Sequence, residues 1–405
     1  MQNILSLEDA LALLKENAPL VTETEEVDLL AALDRKPAAD YIAAFNNPPF
    51  DRSPLDGYTF NSAAVQNASK DNPSVLNIIG EECAGDFFSG EVPLGAAVRI
   101  MTGGAIPAGC DCVVRQEDVT AENGTLKVFA PLKHHENYCF AGEDIKKGTV
   151  LAKQGEVLTP AHIGALASMG YAKVKVYRKI KITLASTGDE LVSPGEPLTN
   201  GKIYNSNLYI IASRLQEMGF SPEIIGILPD DVNKASEVIK SYAAKTDIFI
   251  TTGGVSVGKK DIMHGVADAV GTKLFWRVSM KPGGPALAYT IASGTHKTLG
   301  IALSGNPFAA YATFELIVRE VLFALTGNKK LQGKVTTAIL ADAFPKKSLG
   351  RRFIRARYEN GKLYLPAQHA SGSLFSVVGC NAFIDIAAGT DALAAGSRVK
   401  TIIFR

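Results

Sequence analysis

The sequence predicts a multidomain chain in which a mostly parallel α/β region is combined with β-rich regions. Three observations lead there. At 405 residues the chain exceeds what one hydrophobic core normally holds. Between about 179 and 328, strand-type and helix-type segments alternate at the spacing of βαβ units. From 55 to 150, and again from 329 to 405, short β-type runs are separated by glycine and proline turns.

The elements follow in order. Residues 1–45 read as helical, because Leu5, Leu7, Ala10, Leu11 and Leu14 recur at helical spacing behind Ser6, a residue that caps helix starts. Pro48, Pro49 and Pro54 then remove donors and restrict φ, so that stretch is ordered but neither helix nor central strand. Ala161–Met169 returns to helix, and Lys173–Tyr177 alternates as a strand. The α/β rhythm begins with a strand at 180–185 and a helix over Asn207–Met218. A strand over Glu223–Leu228, a helix over Lys234–Ala244, a strand over 247–252 and a helix over Ile262–Val270 continue it. One long helix over Phe308–Leu325 closes the region before Gly327. The tail predicts a small barrel or sandwich. These readings divide the chain into a discontinuous N-terminal segment (1–45 and 147–178), a β-rich insertion (46–146), the α/β region (179–328) and the tail (329–405).

Composition narrows the function. Lys plus Arg is 42 and Asp plus Glu is 41, so the net charge of +1 gives no global field for nucleic acid or an anionic membrane as main partner. The opening residues carry acids where a secretory signal has bases, and no apolar run reaches membrane-helix length. Five cysteines are an odd number, and Cys110 and Cys112 are too tightly spaced for a zinc knuckle. Reduced thiols and a cytoplasmic location are the expectation. The six histidines contain no HExxH, and His134 and His135, read as neighbours on a strand, are expected on opposite faces.

In open α/β sheets ligands bind beyond the carboxyl ends of the strands, and three such ends here carry polar or glycine-rich loops. They are Ser186–Glu190, the loop from Gly253 and Gly254 through Ser256 and Gly258 to Asp261, and Ser304-Gly305-Asn306-Pro307. Glycines let backbone N–H groups approach an anion closely. The second loop nearly matches a P-loop, but Lys260 stands where Ser or Thr would hold Mg²⁺, which argues against a Walker-type NTPase. Asp261 follows directly, either as a carboxylate for a divalent cation or as a helix cap. Lys281, set between Met280 and Pro282-Gly283-Gly284, suits a fixed anion contact or a solvated turn. Asp56, Thr102 and Asp144 each lie in turn-like segments of the β-rich region.

Seven strings in register carry a family resemblance over essentially the whole chain. They are SPLDGY (53–58), RIMTGGAIP (99–107), GEDI (142–145), STGDEL (186–191), TTGGVSVGKKD (251–261), FWRVSMKPGGP (275–285) and SGNPFAA (304–310). Together they resemble the bacterial MoeA type of molybdopterin molybdenumtransferase, related to the gephyrin C-terminal domain. The resemblance implies a three-layer α/β molybdopterin-binding domain, a β-rich insertion domain, a small helical linker domain and a C-terminal β-barrel. It implies a homodimer that inserts molybdate into adenylylated molybdopterin and releases AMP, with Mg²⁺ or another divalent cation involved. Transient contacts with the adenylyltransferase and with acceptor molybdoenzymes are also implied.

Residue by residue, the resemblance makes Asp261 and Asp230 the cation-holding acids, and places Glu190 and Lys281 at the pterin–molybdate pocket. It makes Asp56, Thr102 and Asp144 catalytic positions that face the other subunit's α/β domain. Arg355 and Ser373, in FIR and GS, resemble the pair associated with molybdate. Two positions depart from the pattern: Gly284 replaces a second lysine, and Arg277 replaces the lysine after the Phe-Trp pair. Two other readings compete: a molybdopterin adenylyltransferase, for which the insertion and barrel are superfluous, and a non-catalytic pterin-binding scaffold.

Overall fold

The computed structural model describes residues 4–256, 258 and 261–405. The chain divides into two compact units, one of residues 1–25 and 177–405, the other of residues 26–176.

The larger unit is built on a six-stranded sheet. Its order is Glu223–Leu228, Ile182–Thr187, Ile248–Thr252, His296–Leu303, Leu287–Ser293 and Thr272–Trp276. The first four strands are parallel and the last two antiparallel. Alternation along each strand sends side chains to two cores. Ile182, Leu184, Ile248, Ile250, Leu299 and Ile301 face one core, shared with the Ser206–Glu217 and N-terminal helices. Ala185, Phe249, Ala302 and Tyr289 face the other, covered by the helices Val232–Ala243 and Met263–Val270. This is a three-layer α/β sandwich. The tail closes into a five-stranded barrel with its own core around Leu340, Ile354, Leu363 and Ile384. Phe353, Phe383 and Phe404 of the tail join the first sheet core instead, so barrel and sandwich share buried surface.

Two expectations are corrected here. Residues 1–45 are not helical throughout: the helix is Leu7–Glu16, capped by Ser6 Oγ on the N–H of Asp9 at 3.0 Å. After Asn17 the chain passes Pro19 into the extended run Thr24–Asp28, where the β-branched Thr24 and Val27 favour a strand. The long helix at 307–326 is interrupted by a π turn at Phe314–Val318. Glu315 in that turn is fully buried, and its carboxylate accepts from Arg214 Nε at 2.5 Å, with Arg319 Nε 3.4 Å away. Such single wide turns sit where a helix must re-aim side chains, here onto a buried ion network. The strand Leu287–Ser293 had no sequence expectation.

The smaller unit holds a six-stranded mixed sheet, ordered Cys112–Arg115, Gly57–Phe60, Ala96–Ile100, Ser74–Glu82, Thr125–Val128 and Val119–Glu122. Its core includes Phe60, Leu76, Ala97 and Leu126. A second core joins Ala32 and Ala43 to Leu151, Leu166, Val174 and Val176. His134 and His135 lie in a turn rather than on a strand. Positive φ at His135 lets the two rings stack with centres 3.8 Å apart, and His134 Nδ1 pairs with Asp111 at 2.8 Å. All five cysteines are free thiols. Among the described residues no helix is long and apolar enough to cross a membrane.

Candidate functional site

A cavity of about 820 Å³ opens at the carboxyl ends of the four parallel strands, near the upper end of the range for small-molecule sites. Each strand contributes its following loop. Thr187 ends Ile182–Thr187 with Gly188 and Glu190 after it, and Asp230 follows Glu223–Leu228. Gly253, Gly254, Ser256 and Asp261 follow the third, and Ser304, Gly305, Asn306 and Pro307 the fourth. Lys281 and its Pro-Gly-Gly neighbours complete the wall. The topology thus gathers Glu190, Asp230, Asp261 and Lys281 from separate stretches of chain into one space.

Local geometry explains the glycines. Gly253 and Gly254 have φ of +94° and +66°. A Cβ on Gly253 would lie 2.5 Å from the Thr187 carbonyl oxygen, and one on Gly254 would lie 2.7 Å from Thr187 Oγ1. Gly283, at φ +83°, would bring a Cβ to 2.1 Å from Thr313 Oγ1. Only glycine permits this close backbone approach. Asp230 Oδ2 accepts from the N–H of Asp189 at 3.0 Å, whereas the next residue, Asp231, caps the following helix on the N–H of Lys234 at 2.9 Å. Asp261 accepts from the N–H of Gly258 and is not a helix cap, because the helix begins behind Ile262 with no side-chain bond. Val257, Lys259 and Lys260, within the P-loop-like string, lie outside the described residues.

Lys281 is held by its main chain. Its N–H donates to the Arg351 carbonyl at 2.9 Å and its carbonyl accepts from the N–H of Phe353 at 2.7 Å, so it pairs with the edge of a barrel strand. Arg351 is itself fixed by bidentate bonds to Asp385, both 2.8 Å, and by Glu8 at 2.7 and 2.9 Å. The Arg351 guanidinium holds the carboxyls of Glu8 and Asp385 below their usual range despite burial.

Other sequence-derived residues stand apart from the cavity wall. Arg355 is 1% exposed, lies 3.8 Å over the Phe308 ring and donates to the carbonyls of Gln368 and Ala370 at 2.7 and 3.1 Å. Burial pushes its guanidinium down to about 10. Its contacts support the segment whose Ser371 and Gly372 do reach the cavity. Ser373 donates to Gln368 Oε1 at 3.2 Å instead of lining the cavity. Arg277 lies over the Trp276 ring, and Gly258 is at the turn closed by Asp261. In the smaller unit Asp56 and Thr102 come together: the Asp56 carboxylate accepts from Thr102 N and Oγ1 at 2.8 and 2.7 Å, which lowers its pKa. Asp144 accepts from Asn47 Nδ2 at 3.2 Å.

Sequence reasoning missed Tyr204, Asn205, Ser206 and Asn207, which line the cavity at the start of a helix. Asn205 caps that helix, and Asn207 Nδ2 donates to the Gly305 carbonyl at 2.7 Å. A polar Asn-Ser-Asn run ahead of a helix after the first strand was the available signal.

Comparison with known proteins agrees with this architecture. The MoeA N-terminal region (domain I and II) matches residues 5–170, a probable molybdopterin binding domain matches 183–324, and the MoeA C-terminal region (domain IV) matches 337–404. The molybdopterin molybdenumtransferase of Haemophilus influenzae is 36% identical over 404 residues, covering 98% of each chain. This chain belongs to the MoeA family. The Bacillus subtilis molybdopterin molybdenumtransferase is also 36% identical, over 95% of this chain and 90% of its own length. Two crystal structures of the Pyrococcus horikoshii molybdopterin biosynthesis MoeA protein superpose with TM-scores of 0.85 and 0.82. They are 28% and 30% identical and cover 100% and 99% of this chain and all of theirs. As a MoeA-family member the chain is a transferase of molybdenum cofactor biosynthesis, and neither the adenylyltransferase nor the scaffold reading is favoured.

Proposed function

We propose that the cavity receives adenylylated molybdopterin and that the chain inserts molybdate at its dithiolene, with release of AMP. The observation that supports this best is the convergence of two aspartates, a glutamate, a lysine and glycine bends on one cavity of nucleotide-binding size. The glycines allow backbone N–H groups to reach phosphate oxygens. Lys281 offers a compact positive charge to an oxyanion. Asp230 and Asp261 fit a divalent cation: both are hard oxygen donors on the same wall, and a backbone N–H orients each through Oδ2. Mg²⁺ is commonly held by one or two carboxylates plus substrate phosphates. Such an ion supplies charge neutralisation at the pyrophosphate whose P–O bond breaks. Glu190 folds its carboxylate over Gly188, at the mouth of the same space. In this reading Asp56, Thr102 and Asp144 serve the other subunit of a cytoplasmic homodimer, and Arg355 acts on molybdate through the segment it supports.

The test is anaerobic incubation of the protein with adenylylated molybdopterin, Mg²⁺ and molybdate, following AMP. Molybdate-dependent AMP release is expected, and absence of binding overturns the reading. Asp261→Asn keeps an oxygen for the Gly258 N–H, so its melting point should hold while AMP release falls about 10²-fold, as for loss of one transition-state stabilising group. Undiminished release by that variant would remove Asp261 from the cation site.

A further inference from the structure

Trp276 is the chain's single tryptophan and ends the edge strand Thr272–Trp276. It does not line the cavity, yet its indole N–H donates to the carbonyl of Val255 at 3.0 Å. Val255 directly follows the Gly253-Gly254 bend and is 1% exposed. The His264 imidazole meets the indole edge-on, with ring centres 4.3 Å apart and planes at 88°. His264 stands at the start of the helix Met263–Val270, which follows the loop. On Trp276 the Arg277 guanidinium lies 4.5 Å from the ring centre, made possible by the left-handed φ of 76° at Arg277. The indole therefore grips one peptide of the loop from behind, with the imidazole packed against its edge.

That grip answers a need set by the loop's composition. Consecutive glycines at positive φ have wide conformational freedom, and a loop that presents N–H groups to a phosphate binds well only when it is already shaped. The Val255 carbonyl is buried, so an unmade bond there is penalised in every other loop conformation.

We propose that Trp276, with His264 at its edge, is a positioning residue that holds the Gly253–Ser256 bend in the shape that receives the substrate's phosphates. The proposal rests on the reading of the cavity as the adenylylated molybdopterin site. Trp276→Phe keeps an aromatic face for His264 and removes the donor. In the full-length protein, KM for adenylylated molybdopterin in the AMP-release assay should rise about tenfold, equivalent to about 1.4 kcal/mol, and by a larger factor than kcat falls. KM for molybdate should not move, whereas a general loss of structure would disturb both. The unmutated protein gives a second readout: titration with adenylylated molybdopterin should produce a saturable change in Trp276 emission with the same midpoint as binding. Wild-type turnover with an unchanged KM in Trp276→Phe and a silent emission overturns the proposal and leaves the cavity reading standing. Failure of the wild-type protein to bind the substrate overturns both.

Discussion

Gly254→Ala tests whether the bend at the cavity depends on overlap with one neighbouring hydroxyl. Gly254 sits at φ +66°, and the added Cβ would meet Thr187 Oγ1 at 2.7 Å and Met263 Cγ at 3.3 Å. Two separable penalties follow. The left-handed backbone costs an alanine about 1–2 kcal/mol. Forcing a methyl into a packed space costs about 1–3 kcal/mol more. Thr187 is 3% exposed, and its Oγ1 has no hydrogen-bond partner among the described residues, so Thr187→Ala removes the obstacle without breaking a bond. Urea unfolding followed by Trp276 emission should show Gly254→Ala costing roughly 2–5 kcal/mol in the wild-type background and about 1–2 kcal/mol beside Thr187→Ala. A coupling below about 0.5 kcal/mol, the level of additive distant sites, would refute the overlap as the reason for glycine at 254.

Two further predictions concern pH. Arg351→Met should destabilise by about 3 kcal/mol near neutrality, since it leaves the nearly buried Asp385 short of its principal partner. Glu8 and Asp385 have depressed folded-state pKa values, so their contribution is full above the unfolded carboxylate range and is lost as pH falls below it through the lowered folded values. Thermal melts from pH 7 to 3 should therefore show a steeper acid loss in wild type than in Arg351→Met, and parallel profiles would contradict the assignment. Glu82 has the opposite sign. It is 1% exposed, burial raises its pKa, and Oε1 has no partner among the described residues. The folded state holds its proton more tightly than the unfolded one, so stability falls as pH rises past the unfolded value. Glu82→Gln should melt higher than wild type at pH 8, and a lower melting point there would disprove the reading.

The legible features were those written locally. The parallel strands announced themselves as apolar runs, two of them ending in Thr-Gly or Thr-Gly-Gly, and the loops after three of the strands supplied Glu190, Asp230 and Asp261, all of which line the cavity. What escaped depends on contacts distant in sequence. Residues 17–45 leave the helical reading because Pro19, the strand Thr24–Asp28 and Pro37 divert the chain once the leucine periodicity of the first helix has ended. The π turn at Phe314–Val318 accompanies a buried carboxylate paired with Arg214, about a hundred residues away. The bonds of Arg355 Nη2 to the carbonyls of Gln368 and Ala370 could not be read from its motif. The polar run at Asn205–Asn207 was visible, but nothing near it in sequence indicates that Gly305 lies beside Asn207.

The pairing of Lys281 with the barrel edge has a consequence for how freely the tail can change. Both bonds join main-chain atoms, the Arg351 carbonyl and the Phe353 N–H, and every amino acid supplies these except that proline lacks the N–H. These two bonds themselves do not specify the side chains at 351–353, whose constraints come instead from the ion pairs of Arg351 and the core contact of Phe353. A barrel grafted from a distant homologue can dock in the same alignment as long as those contacts are matched and proline stays out of position 353.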